Sequence, residues 1–153
     1  MTFPTNIITN SPGETEAIGK ELSALLAENS DTPKFVAMYG DLGVGKTAFV
    51  RGFCSDLCPN STVKSPTFAL VNEYRCVANL AGFKKVCHFD MYRVTDEDDL
   101  YSIGYYDYLR NDIACIAEWC ELIPYALPNE YVKVEISKID EQSNRSINIC
   151  IVQ

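Results

Sequence analysis

The sequence predicts an α/β fold in a single domain that spans residues 1–153. An apolar run of strand length, Phe35–Tyr39, leads directly into a glycine-rich loop and then into an amphipathic segment at Lys46–Leu57. Further strand-like and helix-like segments follow, and no repeat, low-complexity tract or linker interrupts them. At 153 residues, the chain can bury a core without disulfides or a structural metal.

The first helix is predicted by its start signals. Ser11 is a typical cap, Pro12 suits the first helical position, and Glu14 is placed to complete a capping box. The helix should run to about residue 29. Its apolar face is predicted to comprise Ala17, Ile18, Leu22, Leu25 and Leu26.

The rest of the chain predicts five more strands and two short helices. The strands are expected at residues 68–75, 86–91, 113–117, 131–137 and 146–151. Residues 77–82 look like a hairpin connection, so the first two of these strands should pair antiparallel. Short helical stretches are expected from Asp96 and from Tyr105.

Composition narrows the class of protein. With 47% hydrophobic and 22% charged residues, and with no apolar stretch of the length that a membrane helix needs, the chain is expected to be globular and not inserted in a membrane. No secretory signal is evident, so we expect a cytoplasmic location. The seven cysteines are odd in number and form no CxxC pair, which favours reduced thiols. The net charge of -8 disfavours direct binding to a nucleic-acid backbone.

Residues 40–47, GDLGVGKT, match the full phosphate-loop pattern GxxxxGK[ST]. Its glycines let successive backbone N–H groups curl around phosphate oxygens at a helix N-terminus. Lys46 can bridge the outer two phosphates, and the Thr47 hydroxyl can ligate Mg²⁺, so we expect a nucleoside triphosphate with Mg²⁺ here. The predicted nucleotide-binding residues are Asp41, Leu42, Gly43, Val44, Gly45, Lys46, Thr47 and Ala48.

Hydrolysis or transfer also needs an acidic group at the end of a buried strand, close to the metal. Asp90 and Glu118 both end apolar strands, and spacing alone does not say which of them ligates the metal. Trp119 belongs either to the core or to the nucleotide or partner face. We assign no role to His88, the only histidine, because a histidine inside a strand is more often a buried structural residue.

Ser65 and Thr67, in the segment SPTF, lie where many phosphate-loop proteins carry a switch that senses the γ-phosphate. The alternative is a plain turn, with Pro66 fixing φ and the two hydroxyls bonding locally. No residue can be identified as an arginine finger, so charge stabilisation would come from Arg51, from Arg93 or from a partner. Intrinsic turnover is therefore predicted to be slow.

Four segments occur in a particular order: GDLGVGKTAFVRGF from Gly40, VKSPTFALVNEY from Val63, HFDMYR from His88 and AEWCE from Ala117. This series resembles the TsaE family, the small ATPases of bacterial tRNA threonylcarbamoyladenosine biosynthesis. The Glu-Thr pair at Glu14 matches the family's opening helix. Ala117 departs from the branched apolar residue that the family often carries there, but this change removes no ligand.

The resemblance implies a phosphate-loop NTPase with a three-layer fold, in which a central, mostly parallel sheet carries additional antiparallel strands. It implies an ATPase that acts with two partner proteins of sugar-kinase-like fold, which transfer the threonylcarbamoyl group, so tRNA would be met only indirectly. Carried over by motif, Lys46 and Thr47 serve phosphate and Mg²⁺, Glu118 is the acidic residue at the metal, and Asp90 is the strand-end aspartate that would orient water. Ser65 and Thr67 would form the switch-like segment, and Trp119 the adjoining motif.

Two other classes of nucleotide-binding protein fit the sequence less well. A small-molecule kinase would carry an arginine-rich lid, and the arginines of this chain do not cluster. A GTPase switch would carry an Asn-Lys-x-Asp motif that reads guanine, and the sequence has none. The ATPase is favoured over both.

Overall fold

The computed structural model describes residues 1–66, 70–77 and 82–153. Within them, seven strands form one sheet in the order β1-β7-β6-β2-β5-β4-β3. The strands are β1 (Thr5–Thr9), β2 (Phe35–Tyr39), β3 (Val71–Arg75), β4 (Lys85–Asp90), β5 (Ile113–Glu118), β6 (Tyr131–Lys138) and β7 (Arg145–Val152). The α-helices are α1 (Pro12–Glu28), α2 (Lys46–Leu57) and α3 (Glu97–Ser102), and the short 3-10 helices are Met91–Arg93, Tyr105–Tyr108, Cys120–Leu122 and Pro124–Ala126.

The sheet is mixed: its central strands are parallel, and the additional antiparallel strands that were expected lie towards its edges. In the described part of the chain, the pairings of β6 with β2, β2 with β5 and β5 with β4 are parallel. The pairings of β1 with β7, β7 with β6 and β4 with β3 are antiparallel. The four central strands are therefore parallel, and hairpin-like pairs extend the sheet at both edges.

Apolar side chains cover both faces of the sheet. On one face, Met38 and Ile116 pack under α1 and α2, with Phe49 and Phe53 of α2 fully buried above them. On the other face, the alternate residues of the same strands pack against α3 and the short 3-10 helices, around the buried Tyr105. This alternation follows the two-residue period of a strand and yields a helical layer, the sheet and a second, irregular layer.

The start of α1 has the predicted cap. The Oγ of Ser11 accepts a hydrogen bond from the backbone N–H of Glu14 at 3.2 Å. The Glu14 carboxylate accepts in turn from the backbone N–H of Asn10 at 2.7 Å, one residue before the cap. These two bonds satisfy polar groups that a helix start leaves without partners, so the start signals in the sequence have a direct structural counterpart.

The buried face of α1 differs from the predicted one. Leu22 and Leu26 are fully buried as expected, but Ala17 is exposed. Small residues make up the rest of the buried face of α1, because α1 crosses α2 at very short range. A Cβ on Gly52 would lie 1.8 Å from the carbonyl oxygen of Glu16, and one on Gly19 would lie 2.1 Å from that of Phe49. Only glycine permits this contact between the two helix backbones.

The predicted bounds of β2 and α2 agree with the structure. Those of β4, β5, β6 and β7 differ from it by at most one residue at each end. The predicted strand at 68–75 begins at Val71; residues 68–69 and most of the predicted hairpin connection, 78–81, lie outside the described residues. Strand β1 was missed, because TNIIT is short and Ile8 is 61% exposed at the edge of the sheet. The expected second short helix is the 3-10 helix Tyr105–Tyr108.

The cysteines are free thiols, and six of the seven are buried. Desolvation by burial raises the pKa of the Cys87 thiol to about 12, which keeps it protonated at neutral pH. No helix in the described ranges is long and apolar enough to cross a membrane.

The crossing of α1 and α2 predicts a large effect for one added methyl group. Gly52→Ala should lower the free energy of unfolding by about 1–3 kcal/mol, because its Cβ would overlap the carbonyl oxygen of Glu16. Gly13→Ala is the matched control on exposed helix surface, where the nearest atom is 3.9 Å away, and it should raise stability by up to about 1 kcal/mol. Urea unfolding measures both, and equal effects of the two substitutions would contradict the close packing.

Candidate phosphate-binding site

The glycine loop joins β2 to α2 at the carboxyl edge of the parallel strands. Two glycines give it its shape. Gly40 has φ +138°, and a Cβ there would lie 2.3 Å from the carbonyl oxygen of Ile136 on β6. Gly45 has φ +109° and is the residue from which α2 begins. Larger residues would be strained at both positions, so the loop can follow this tight path only with glycine there.

Lys46 is folded back onto the loop that precedes it. Its side chain is only 5% exposed, although it carries a charge. The Nζ atom donates hydrogen bonds to the backbone carbonyl of Gly40 and, at 3.0 Å, to that of Asp41. It also lies 4.4 Å from the centroid of the Trp119 ring, within the range of a cation–π interaction. The ammonium group is thus held at the mouth of the loop by neutral dipoles and an aromatic face.

The other predicted nucleotide-binding residues line the same turn. Asp41, Leu42 and Gly43 are exposed, with Leu42 at 83%, whereas Val44 is buried under the loop. Thr47 and Ala48 are half-buried in the first turn of α2. The backbone N–H groups of this first turn have no partner within the helix, as at any helix start, and their dipoles favour an anion.

The two candidate carboxylates come together at the same edge. Glu118, the last residue of β5, lies opposite Met38 of β2 and Asp90 of β4 in the parallel ladder. Since Met38 and Ile116 face α2, Glu118 faces the same side, two residues after Ile116. Both acidic side chains therefore end on the face that carries the glycine loop.

Glu118 is hydrogen-bonded to His88, for which no role was predicted. Glu118 is buried, and its Oε1 atom lies 2.8 Å from Nε2 of His88. His88 is fully buried on the neighbouring strand β4. No local sequence pattern indicates this pair, because the residues are 30 positions apart and meet only through the register of β4 with β5.

Asp90 lies at a half-buried position and carries an unfavourable charge. Burial is the largest cause that raises the pKa of its carboxyl group, and the nearby charge of Glu118 raises the pKa further. A hydrogen bond from the backbone N–H of Tyr92 to Oδ1, at 3.0 Å, and the charge of Lys46 act in the opposite direction. The net result is a carboxylate that binds a proton more readily than an ordinary aspartate.

Trp119 packs against the edge of the second core and also faces the loop. It is half-buried, with its ring under the Lys46 ammonium and 5.1 Å, centroid to centroid, from the ring of the exposed Tyr92. Its backbone adopts φ +61°, a conformation that larger residues rarely take. This turn, which directly follows Glu118, aims the indole at the loop.

Ser65 of the switch-like segment is half-buried, and Thr67 lies outside the described residues. The chain just before Ser65 is attached to the sheet through Tyr74. The Tyr74 hydroxyl accepts a hydrogen bond from the Lys64 N–H at 3.2 Å and donates one to the Lys64 carbonyl at 3.1 Å. The start of the segment is therefore anchored to β3.

Arg145 was missed as a site residue. Its Nε donates to the carbonyl of Val44 at 2.9 Å, across 101 residues of sequence. A groove of about 150 Å³ runs beside the loop, between Arg145, Ser143 and the start of α1 at Pro12. Such a long-range contact leaves no local signal in the sequence.

The two arginines predicted as candidates for charge stabilisation are not held at the glycine loop in the described part of the structure. Arg51 is exposed on α2 and forms an ion pair with Glu16 of α1. Arg93 is exposed in the turn after β4. Neither is held against the glycine loop by a hydrogen bond between described residues.

The fold and the site together define an α/β protein with a glycine loop of the phosphate-binding type, flanked by two acidic strand ends. The TsaE family model, described as threonylcarbamoyl adenosine biosynthesis protein TsaE, matches residues 9–147. The chain therefore belongs to the TsaE family.

Individual relatives agree with this assignment. The chain is 38% identical over 128 residues to the tRNA threonylcarbamoyladenosine biosynthesis protein TsaE of Haemophilus influenzae, covering 82% of this chain and 77% of the relative. It is 36% identical over 130 residues to the protein of the same name from Bacillus subtilis, covering 85% and 75%. Among solved structures, the crystal structure of Bacillus subtilis YdiB superposes with a TM-score of 0.67 at 27% identity, over 99% of this chain and 87% of that one.

The charge on Asp90 predicts a stabilising substitution. Asp90→Asn should raise the free energy of unfolding at neutral pH by up to about 1 kcal/mol, because it removes a carboxylate next to Glu118 and keeps an oxygen for the Tyr92 N–H. Since the pKa of Asp90 is raised in the folded protein, its ionised form destabilises the fold above that pKa. The gain should therefore disappear as the pH falls and Asp90 becomes protonated.

Asp98→Asn is the matched control for this prediction. Asp98 is exposed in the first turn of α3, where a negative charge is favourable, so the same chemical change should leave stability unchanged or lower it. Urea unfolding at neutral and acid pH compares the two variants. A loss of stability for Asp90→Asn at neutral pH would contradict the unfavourable charge.

Proposed function

We propose that the chain is a phosphate-loop NTPase that binds ATP with Mg²⁺ and hydrolyses it slowly, as the ATPase of tRNA threonylcarbamoyladenosine biosynthesis. The observation that carries the proposal is the meeting of Lys46 with Asp90 and Glu118 at one edge of the parallel strands. A phosphate loop alone binds an anion, whereas the adjoining acidic strand ends add the groups that metal binding and water activation need.

Lys46 can exchange its present hydrogen-bond acceptors for the oxygens of a bound phosphate. Its ammonium now bonds to the carbonyls of Gly40 and Asp41, and it remains next to the first turn of α2. Phosphate oxygens at the helix start would offer stronger, charge-assisted bonds to the same group. The loop therefore holds a buried cation that needs little reorganisation to bridge the outer phosphates.

The residues at this edge fit Mg²⁺. Thr47 and Glu118 would hold the ion through oxygen atoms, which are the donors that Mg²⁺ prefers, and the ion would supply charge neutralisation between the outer phosphates. Within the described residues, no group of three or more His, Cys, Asp or Glu side chains could hold a metal ion by itself. Such a sparse set agrees with an ion that takes its remaining ligands from phosphates and water.

Asp90 is suited to orient the attacking water. Its pKa is raised by burial and by Glu118, so the carboxylate accepts a proton more readily than a solvated aspartate. Its orientation is fixed by the hydrogen bond from the Tyr92 N–H. Asp90 would orient the water, while Glu118 is left as the acidic ligand.

The nucleoside would lie in the groove between Arg145, Ser143 and the start of α1. This groove continues from the glycine loop, so a nucleotide whose phosphates fill the loop can place its sugar and base there. ATP is preferred over GTP because the sequence lacks an Asn-Lys-x-Asp motif that would read guanine.

The biological role rests on the family, which is one of tRNA threonylcarbamoyladenosine biosynthesis. Two proteins of sugar-kinase-like fold in the threonylcarbamoyl-transferase complex are the proposed partners, and the site of action is the cytoplasm. The net charge of -8 supports contact with protein rather than with tRNA, because the tRNA backbone would repel this surface. The partners would hold the tRNA and respond to the ATPase.

Lys46→Ala should weaken ATP binding by about 10- to 100-fold, because it removes a charged hydrogen-bond donor from the phosphates. Glu118→Ala should retain binding of ATP without metal and lose the gain in affinity that Mg²⁺ confers. Lys20→Ala removes the same kind of side chain from an exposed ion pair on α1 and serves as the control. Equilibrium binding with a fluorescent ATP analogue and single-turnover hydrolysis measure these effects.

Two results would contradict the proposal. One is ATP binding and hydrolysis that neither Lys46→Ala nor Glu118→Ala alters. The other is rapid transfer of the γ-phosphate to a small acceptor, which would identify a small-molecule kinase instead.

Hydrolysis by the isolated chain should be slow and should rise at least about 10-fold when both partner proteins from the same organism are added, because, among the described residues, Arg51 and Arg93 are not held at the loop and Arg145 is hydrogen-bonded to backbone carbonyls. Phosphate release is measured for the chain alone, with each partner and with both, and Lys46→Ala in the full mixture reports any background ATPase. An unchanged rate with both partners would contradict partner activation but not ATP binding.

A further inference from the structure

His88 occupies an unusual position for the only histidine of the chain. It lies at the centre of the face of β4 that packs under α2, and its side chain is fully buried. Its Nε2 atom lies 2.8 Å from Oε1 of Glu118, within the range of a good hydrogen bond. A buried imidazole is therefore joined directly to the carboxylate proposed as the metal ligand.

The two ring nitrogens differ in their surroundings. Nδ1 is buried and has no hydrogen-bond partner among the residues that the structure describes, whereas Nε2 has Glu118. A proton on Nδ1 would be a buried donor without an acceptor, and it would leave two lone pairs facing each other at Nε2 and Oε1. The hydrogen-bond geometry thus selects the tautomer in which Nε2–H donates to Glu118.

The ring is also fixed from the side. Tyr74 of β3 packs against it, with 6.4 Å between the two ring centroids and 37° between their planes. Tyr74 is itself held by its two hydrogen bonds to the backbone of Lys64. The imidazole can therefore present its Nε2–H to Glu118 in one direction only.

We infer that His88 is a positioning residue, whose Nε2–H fixes the Glu118 carboxylate in the orientation that binds the divalent cation of a bound nucleotide. This inference rests on the proposed function. Groups that hydrogen-bond a metal-ligating carboxylate orient it, and their loss commonly reduces metal affinity by about 10- to 100-fold.

The first test uses the protein without nucleotide or metal. In ¹⁵N-labelled protein prepared without a histidine tag, the imidazole signals come from one residue only. Long-range ¹H–¹⁵N correlation should show the proton on Nε2 and none on Nδ1, and Glu118→Ala should change the Nε2 signal most. A proton on Nδ1, or a signal that Glu118→Ala leaves unchanged, would overturn the inference.

The second test compares two amides of different length. His88→Gln can place its amide nitrogen near the present position of Nε2, whereas the shorter side chain in His88→Asn reaches only to that of Nδ1. The concentration of Mg²⁺ that half-saturates tight ATP binding should rise about 10- to 100-fold in His88→Asn and stay close to wild type in His88→Gln. ATP binding in EDTA should be unchanged in both variants, because Lys46 and the loop are unaltered.

A double-mutant cycle separates positioning from general damage. In a Glu118→Ala background, which has already lost the affinity gained from Mg²⁺, His88→Asn should not lower ATP affinity in saturating Mg²⁺ any further, since its effect acts through that carboxylate. Equal Mg²⁺ requirements for wild type and His88→Asn, equal losses in the Gln and Asn variants, or an undiminished effect in the Glu118→Ala background would each overturn the inference. Wild-type protein that binds no ATP would overturn the proposed function instead and leave the nuclear magnetic resonance result intact.

Discussion

The candidate site depends on the common register of three parallel strands. In this register Glu118 of β5 lies between Met38 of β2 and Asp90 of β4, so both carboxylates end beside the loop that leaves β2. A slip of one residue would turn these side chains to the opposite face of the sheet. Burial prevents such a slip, because every residue of β5 is buried and its alternate side chains fill two different cores.

Two buried charges at this edge are satisfied without neutralising each other. Lys46 is held by backbone carbonyls and the face of Trp119, and Glu118 by the imidazole of His88. No ion pair joins Lys46 to Glu118 in the part of the chain that the structure describes. These hydrogen-bonding and aromatic partners limit the free energy lost by burying each charge. Both groups therefore remain available to a ligand that brings anionic oxygens and a cation.

The local parts of the site could be predicted from sequence, and its long-range contacts could not. The loop with its flanking strand and helix follows from one motif, and Asp90 and Glu118 were recognised as carboxylates that end apolar strands. Their proximity, the bond of Glu118 to His88 and the contact of Arg145 with Val44 depend on strand order and register, which hydrophobic periodicity does not encode. The antiparallel pairing of β3 with β4 was predicted from the hairpin-like connection between them, whereas the pairing of β1 with β7 was not, because β1 itself was missed.

The helical layer determines the space beside the loop. Gly19 and Gly52 let the backbones of α1 and α2 approach closely, and Thr15 in the first turn of α1 lines the groove beside the loop together with Gly45. The Thr15 hydroxyl is in turn hydrogen-bonded at 2.9 Å to that of Thr9 on β1, which ties the helix start to the sheet. A larger side chain at the crossing would push α1 outward and widen the groove in which we place the nucleoside. The edge strand β1 and the glycine crossing are thus structural conditions for the shape of the proposed nucleotide site.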